Sequence, residues 1–595
     1  MDRRTIIAFV LIFLVFSGYS LVMKKFYPPD ELPVEVEEQI AESEIREPSI
    51  SGLAPEQAPE SFSEVAGETQ SASGTITDAA AALRQVDAVA PARIPVSGPL
   101  YNLVIDTRGG RIVSWNGLEF DSWEGGPVQL IPESGPGYGL DALIFRGAEL
   151  DLGNLVFAAD KPSLSITDGA GTESLTLRAS TAGGFEVRKI YSFRPDVYGI
   201  EIDYVLAANS AESNHALSLT GTPEDFRFGW NQGIAPTERV QKMELPAMRS
   251  MARIGEDVHY KKRDGLKKSV EKVEEQWSGS VHFAGLQNRY FTVFGVVPQE
   301  QGVPVEGRIK VSGEMESLSQ SWTIDVPARR GVGDELAVAH LDLYVGPQVA
   351  DLLRPYGQGL VETMDLGWKF FRPLSKLVLV VVEFFHRYIS NYGLIIIIIS
   401  VLSKLMLYPL TRSSTKSMKR MQEVQPKMKA LQEKYKNDKE KLNQATMQLY
   451  KDEKVNPVAG CLPLLLQSPI FIALYQALSH TIVLRGQPFV WWITDLSQPD
   501  AIMALPFALP MLGSDLNVLP ILMAGAMYFQ TKFTPSAGGQ QMAMMNTMMP
   551  LFMIFIFYNM PSGLVLYWLV NTLMQGYQSW SMQRGTSAGG GAQTT

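Results

Sequence analysis

Residues 391–411 read NYGLIIIIISVLSKLMLYPLT. A helix rises 1.5 Å per residue, so about 20 apolar residues cross a hydrocarbon core of ~30 Å. This stretch has that length and composition, and it places the chain among membrane proteins. One residue runs against it. Lys404 sits seven positions before Thr411, about 10 Å from that end. A charge at mid-span costs roughly 2.5–3.5 kcal/mol on insertion scales, less nearer an edge. Two readings are open: the side chain snorkels to the headgroups, or it faces a water-filled recess between helices. Ser400 lies one turn earlier on the same face, and Ser403 is adjacent.

Outward from this span, apolar stretches recur at 458–480, 516–531, 542–560 and 563–581, the last two without any Asp, Glu, Lys or Arg. They carry polar groups such as Gln467, Ser468, Tyr475, Gln476, Asn571, Thr572 and Gln575. These either hydrogen-bond between helices or line one hydrated groove with Lys404. Met542, Met544, Met545, Met548, Met549 and Met553 crowd one stretch, where a flexible thioether fills irregular apolar surface. Ala501–Leu512 is apolar but holds Pro506 and Pro510 and is expected to be interfacial or re-entrant. Thr5–Met23 is an uncharged run of 19 residues. It is long for a signal core and lacks a clear cleavage site, so residues 1–23 are expected to form an uncleaved transmembrane anchor.

The loops orient these spans. Residues 412–454 carry 12 Lys/Arg and 6 Asp/Glu, whereas 482–500 carry Arg485 against Asp495 and Asp500. Positive loops stay cytoplasmic, so both termini are expected inside and residues 96–345 outside. The basic loop, 412–456, reads as two helices, 413–435 and 438–453. Pro426 interrupts or restarts the first, and Asn437 with Glu440 resembles an N-terminal cap pair. Lys416, Lys419, Arg420, Lys427 and Lys429 are candidate docking residues for anionic lipid, ribosomal RNA or a partner, or belong to a solvated spacer.

The other half of the chain differs. Of 595 residues, 46% are hydrophobic and 19% charged, against about 25% charged in soluble domains. Residues 30–95 hold fourteen acidic and three basic residues, so they account for the whole net charge of −10. Residues 24–95 read as a disordered acidic linker, too poor in apolar groups to offset ordering entropy. Short alternating segments over 96–345, such as Tyr198–Leu206, suggest a large antiparallel β-sandwich. The charges Glu362, Asp365, Lys369, Arg372, Lys376, Glu383 and Arg387 fall on one helical face, so 348–390 is expected to be an amphipathic interfacial helix. Lys261, Lys262, Arg263, Lys267 and Lys268 read as a solvated patch in a loop. Cys461 is the only cysteine, which excludes an intrachain disulfide. The six histidines lie far apart, and neither a Walker loop nor GxSxG occurs. No enzyme activity, cofactor, metal or DNA partner is expected.

Several strings are recognisable together: Tyr408-Pro-Leu-Thr411, Lys454-Val-Asn-Pro457, Gly460-Cys-Leu-Pro463, Gln467-Ser-Pro469-Ile-Phe471 and Pro561-Ser-Gly-Leu-Val-Leu-Tyr567. With the layout of spans they closely resemble the YidC/Oxa/Alb membrane insertase family over 350–583, and the anchor plus sandwich resembles its Gram-negative form. The resemblance implies a multi-domain membrane protein with a five-helix insertase core over 391–411 and 457–583. Its hydrophilic groove opens to cytoplasm and lipid and is closed toward the periplasm. It implies that nascent inner-membrane proteins pass into the bilayer there, alone or with the Sec translocon, with chaperone help in folding. Lys404 stands where Gram-negative members usually carry arginine, and Ser400, Gln467, Tyr567 and Trp568 are the other hypothesised groove residues. Clients, the Sec translocon, the ribosome and membrane lipids are the implied partners, at the bacterial inner membrane. The sandwich is similar to sugar-mutarotase-like folds, a likeness that carries no activity. Residues 584–595, which are Gly-rich, are expected to form a flexible cytoplasmic tail. The rival readings are a small-solute transporter and a membrane-anchored glycan-binding sandwich with His215 and His282 as candidates.

Overall fold

The computed structural model describes residues 84–587 except 87–88, 133–139, 146–147, 209–221, 245–246, 263–271, 300–303, 315–319, 365–369, 437, 454, 456–461, 510–511 and 534–539. The Thr5–Met23 run and most of the acidic segment lie outside the described residues.

Alternation of apolar and polar residues builds the first domain. Strand Tyr101–Asp106 buries Tyr101, Leu103 and Ile105, and Phe185–Phe193 buries every second side chain while pairing antiparallel with Gly199–Ala208. Two sheets result. The smaller has five strands, in the order 127–129, 111–121, 101–106, 93–97, 164–165, and only its last pair is parallel. The larger has fourteen strands among the described residues. Its long strand Lys272–Gln287 pairs along one half with Glu306–Glu314 and along the other with Phe291–Val296. Trp115, Trp322, Tyr204 and Phe283 sit in one apolar cluster between the layers, and Trp115 stacks on Tyr101 at 4.3 Å. The sheet starts at Arg93, inside the stretch expected to be linker, because Ile94 and Val96 already point into the core.

The domain also runs past its last strand, Glu335–Pro347. Residues 350–363 form one short helix and two 3-10 turns whose Leu353 and Leu360 are buried in the sandwich core. Gly357 and Gly359, at φ of 61° and 75°, break the helical path, as the left-handed region that glycine tolerates requires. The expected interfacial helix over 348–390 is therefore shorter: α1, Arg372–His386. Of the lysine patch, Lys261 and Lys262 end strand Asp257–Lys262 and so do not lie in a loop, Lys261 pairs with Glu275 at 2.7 Å, and Arg263, Lys267 and Lys268 lie outside the described residues.

Helix α2, Tyr392–Lys434, is continuous for 43 residues, about 65 Å. It passes the expected boundary at Thr411 and does not restart at Pro426. Helix α3, Lys439–Asp452, folds back on it. Its cap is Asp438, whose carboxylate accepts from the Lys441 N–H at 3.0 Å. The expected Asn437 lies outside the described residues. Met421, Val424 and Val455, with Leu449 and Tyr450, form the hairpin's small core. The remaining helices are α4, Leu462–His480; α5, Leu519–Phe533; α6, Gln540–Phe557; and α7, Ser562–Ser587, which extends into the expected tail. Between α4 and α5 the apolar 501–512 stretch is part of a β-hairpin, Ala501–Leu509 paired with Gly513–Asn517. Helix α7 packs on α2, α4 and α5, and α1 packs on α2 and α4. Among the described residues, no helix is long and apolar enough to cross a membrane.

Candidate functional site

Over residues 400–406, helix α2 is inverted relative to a helix in water. Its inward face carries Ser400, Ser403 and Lys404, which are 0%, 9% and 6% exposed, while Leu402, Leu405 and Met406 are 45%, 60% and 65% exposed. Apolar side chains turned outward and a cation turned inward are what hydrocarbon surroundings select. The Lys404 ammonium donates to Gln575 Oε1 on α7 at 2.5 Å. The side chain thus reaches toward a neighbouring helix and does not snorkel. Ser400 Oγ donates to Ile396 O at 2.7 Å and Ser403 Oγ to Ser400 O at 2.9 Å, so both hydroxyls are satisfied within their own helix.

Three helices contribute to this polar seam. The buried Tyr567 hydroxyl of α7 interacts with the polar side chains of Ser403 of α2, Gln467 of α4 and Asn571 of α7. Asn571 Nδ2 donates to Tyr567 O at 2.9 Å. The structure therefore gathers Ser400, Ser403, Lys404, Gln467 and Tyr567 along one seam. Trp568 points elsewhere: it packs on Phe471 and Phe557, at ring separations of 4.8 and 5.1 Å. One helical step turns it about 100° from Tyr567.

The seam is closed at one end. The loop after α4 lies over the N-termini of α2 and α7. Asn391 Nδ2 donates to Phe489 O at 3.2 Å, Gly563 N to Leu496 O at 3.0 Å, and Ser562 Oγ to Asp495 O at 2.9 Å. Gly393 is required here, because a Cβ would stand 2.1 Å from the Phe489 ring. Ile395, Ile396, Ile493, Leu496 and Leu564 fill the space beneath.

The sandwich grips the same loop. Arg485 and Glu238, 7% and 3% exposed in their side chains, pair at 2.6 Å. Arg485 also donates to Asp121 O and Thr237 O. Arg289 Nε donates to Ser479 O at 2.9 Å, and Gln498 Nε2 donates to Glu238. Burial pushes the Glu238 carboxyl up, against the opposing pull of Arg485. Sequence reasoning passed over these residues. Their one local signal was an arginine bordering an otherwise acidic loop.

The remaining candidates lie elsewhere. Arg420, Lys427 and Lys429 are exposed on the distal half of α2, and Lys427 pairs with Glu453 at 2.5 Å. The side chains of Lys416 and Lys419, and all of His215, are outside the described residues. His282 contacts Gln358 Oε1 at 2.6 Å.

The family model for the 60Kd inner membrane protein matches residues 384–588, and that for the YidC periplasmic domain matches 93–377. Membrane protein insertase YidC of Pelobacter propionicus is 34% identical over 96% of this chain and 97% of its own length. The Geobacter metallireducens protein of the same name is 34% identical over 96% and 97%. A crystal structure of active YidC insertase with its first transmembrane domain resolved covers 86% of this chain and 98% of its own. Its identity is 16% and its TM-score 0.35. A galactose mutarotase related enzyme from Lactobacillus acidophilus covers 42% of this chain and 97% of its own, at 12% identity and a TM-score of 0.25, too loose an overlay to identify a fold. Near-full-length identity to several relatives decides the matter: the chain belongs to the YidC family of membrane protein insertases.

Proposed function

We propose that the seam between α2, α4 and α7 is the client-contacting wall of a hydrophilic groove, with Lys404, Ser400, Gln467 and Tyr567 lining it and Trp568 supporting it from the aromatic side. The observation that carries this reading is the inverted face of α2, with Lys404 held inward by Gln575. In this reading α2 and α4–α7 are the five core helices of the inner membrane, and residues 1–23 are a sixth, anchoring span. The sandwich is periplasmic, and the α2–α3 hairpin and both chain ends are cytoplasmic. The exposed Leu377, Val380 and Phe384 of α1 rest in the periplasmic interface.

The energetics need no nucleotide. A client helix of twenty Leu-like residues gains about 6–12 kcal/mol on entering lipid, so insertion is downhill. The barrier is the polar flank that must cross hydrocarbon. A hydrated seam closed at one end by the 485–500 loop shortens that crossing, and Lys404 attracts acidic flanks. Helix α5 has 15 residues, about 22 Å, and thins the bilayer beside it. Clients leave laterally along the apolar helix surfaces. The hairpin cations Lys416, Lys419, Arg420, Lys427 and Lys429 receive ribosome, lipid or the Sec translocon. Reconstitution of the full chain with one small client that needs no Sec translocon tests the reading. Insertion with photocrosslinks from positions 404, 467 and 567 supports it; insertion without crosslinks to any of them removes the seam as the route.

A further inference from the structure

The hairpin between α4 and α5 has an unusual surface. Its first strand, Ala501–Leu509, reads AIMALPFAL, and Ile502, Met503 and Phe507 are 47%, 55% and 60% exposed. Trp491, in the same loop, is 88% exposed and adopts a left-handed φ of 53°, uncommon for a bulky residue. A two-stranded hairpin has no second layer with which to cover its apolar side chains in water.

Charge is missing where water would require it. Between Gly486 and Leu512 the only ionisable residues are Asp495, which is half-buried, and Asp500, which is buried. Asp500 Oδ2 accepts from Trp492 Nε1 and from the backbone N–H groups of Val518 and Leu519. Asp495 Oδ1 accepts from Ser497 N. Just beyond, Asp515 is held by Arg239 of the sandwich at 3.1 Å. The exposed residues of the first strand, Ile502, Met503, Ala504, Pro506 and Phe507, are therefore all apolar and uncharged.

We propose that this hairpin, with Trp491, lies in the outer leaflet at the boundary between headgroups and acyl chains, and that lipid is what covers it. The proposal rests on the reading that α4 and α5 cross the membrane. The loop leaves α4 at His480 and returns at Leu519, so its surface is continuous with the lipid-facing surface of both helices. Depth follows from the backbone. The hairpin's free edges and Pro506 leave peptide groups unpaired within the sheet, which hydrocarbon does not tolerate but the hydrated headgroup layer does. Tryptophan favours the same layer. Lipid contact on this side fixes the loop whose other side closes α2 and α7, so the hairpin is the membrane anchor of the closed end.

The test uses the full chain in phospholipid nanodiscs, with Cys461→Ser and single spin labels at Met503→Cys or Phe507→Cys. Reference labels are Leu522→Cys on α5 and Leu118→Cys on the sandwich surface, both exposed. The expected result is that oxygen relaxes labels 503 and 507 more than a water-soluble nickel chelate does, as at 522 and opposite to 118. Labels at 503 and 507 as open to the chelate as 118, or shielded from both reagents, overturn the proposal. If 522 is lipid-exposed in that case, the membrane reading of α5 stands; if 522 is also aqueous, both fall.

Discussion

Lys404 and Gln575, 171 positions apart, meet across the contact between α2 and α7, the ammonium donating to the amide oxygen at 2.5 Å. No carboxylate among the described residues acts on that ammonium. A cation with a neutral partner keeps its field available to a passing acidic group, whereas an ion pair would neutralise it. Lys404→Ala is therefore expected to slow insertion of clients with acidic translocated flanks about tenfold, equivalent to ~1.4 kcal/mol in the barrier. Lys404→Arg should retain most activity, since a guanidinium also donates to an amide oxygen. Insertion rates in reconstituted vesicles check this; equal rates for the alanine variant across several clients would remove the charge role.

Tyr567 is fully buried, with the polar side chains of Ser403, Gln467 and Asn571 around its hydroxyl. Tyr567→Phe should cost about 1 kcal/mol of thermal stability, the net worth of one buried hydroxyl's interactions. If that hydroxyl serves the route, the same variant reduces insertion of clients with polar flanks and spares apolar ones. Melting curves and parallel insertion assays separate the two effects.

The charge-poor run at 391–411 was legible as helix, whereas the inward turn of Lys404 was not, because its partner Gln575 stands on a helix 171 positions away. Other elements were not legible. The periodic charges from Glu362 to Arg387 imitate one long helix, but Gly357, Gly359 and the burial of Leu360 in the sandwich assign the first of them to another domain. An apolar run with two prolines does not distinguish a re-entrant segment from a strand, so the hairpin at 501–517 needed its partner strand to be seen. Trp568 sits beside Tyr567 in sequence, yet one helical step sends it into an aromatic cluster. Arg485 and Glu238 left little local pattern beyond an arginine bordering an acidic loop, since their pairing joins positions 247 apart in the chain.

That pair makes its own prediction. Arg485→Ala strands a carboxylate that is 3% exposed, and breaking a buried pair from one side costs about 3–5 kcal/mol. The double variant Arg485→Met with Glu238→Met should recover much of that loss, because no charge is left unpaired. Thermal unfolding of the full chain in detergent or nanodiscs measures both. A single variant as stable as the parent would show that the sandwich does not depend on this grip.

Glu244 adds a pH dependence to the same region. Burial pushes its carboxyl up to about 7, the N–H groups of Thr237 and Glu238 pull it down, and the nearby Glu238 charge raises it further. Unfolded, the group titrates near 4.3. Between those two values the folded state holds a proton that the unfolded state has released, so stability falls as pH rises through that window. It is greatest below about 4.3 and levels off above about 7. The full difference is roughly 4 kcal/mol. Glu244 accepts from Thr237 N at 2.9 Å and from Glu238 N at 3.1 Å, so the loss centres on the turn that presents Glu238 to Arg485. Glu244→Gln, neutral at every pH, should flatten the slope of melting temperature between pH 5 and 7.5 while leaving the trend outside that window unchanged. A slope that persists in the glutamine variant would assign the pH dependence to another group.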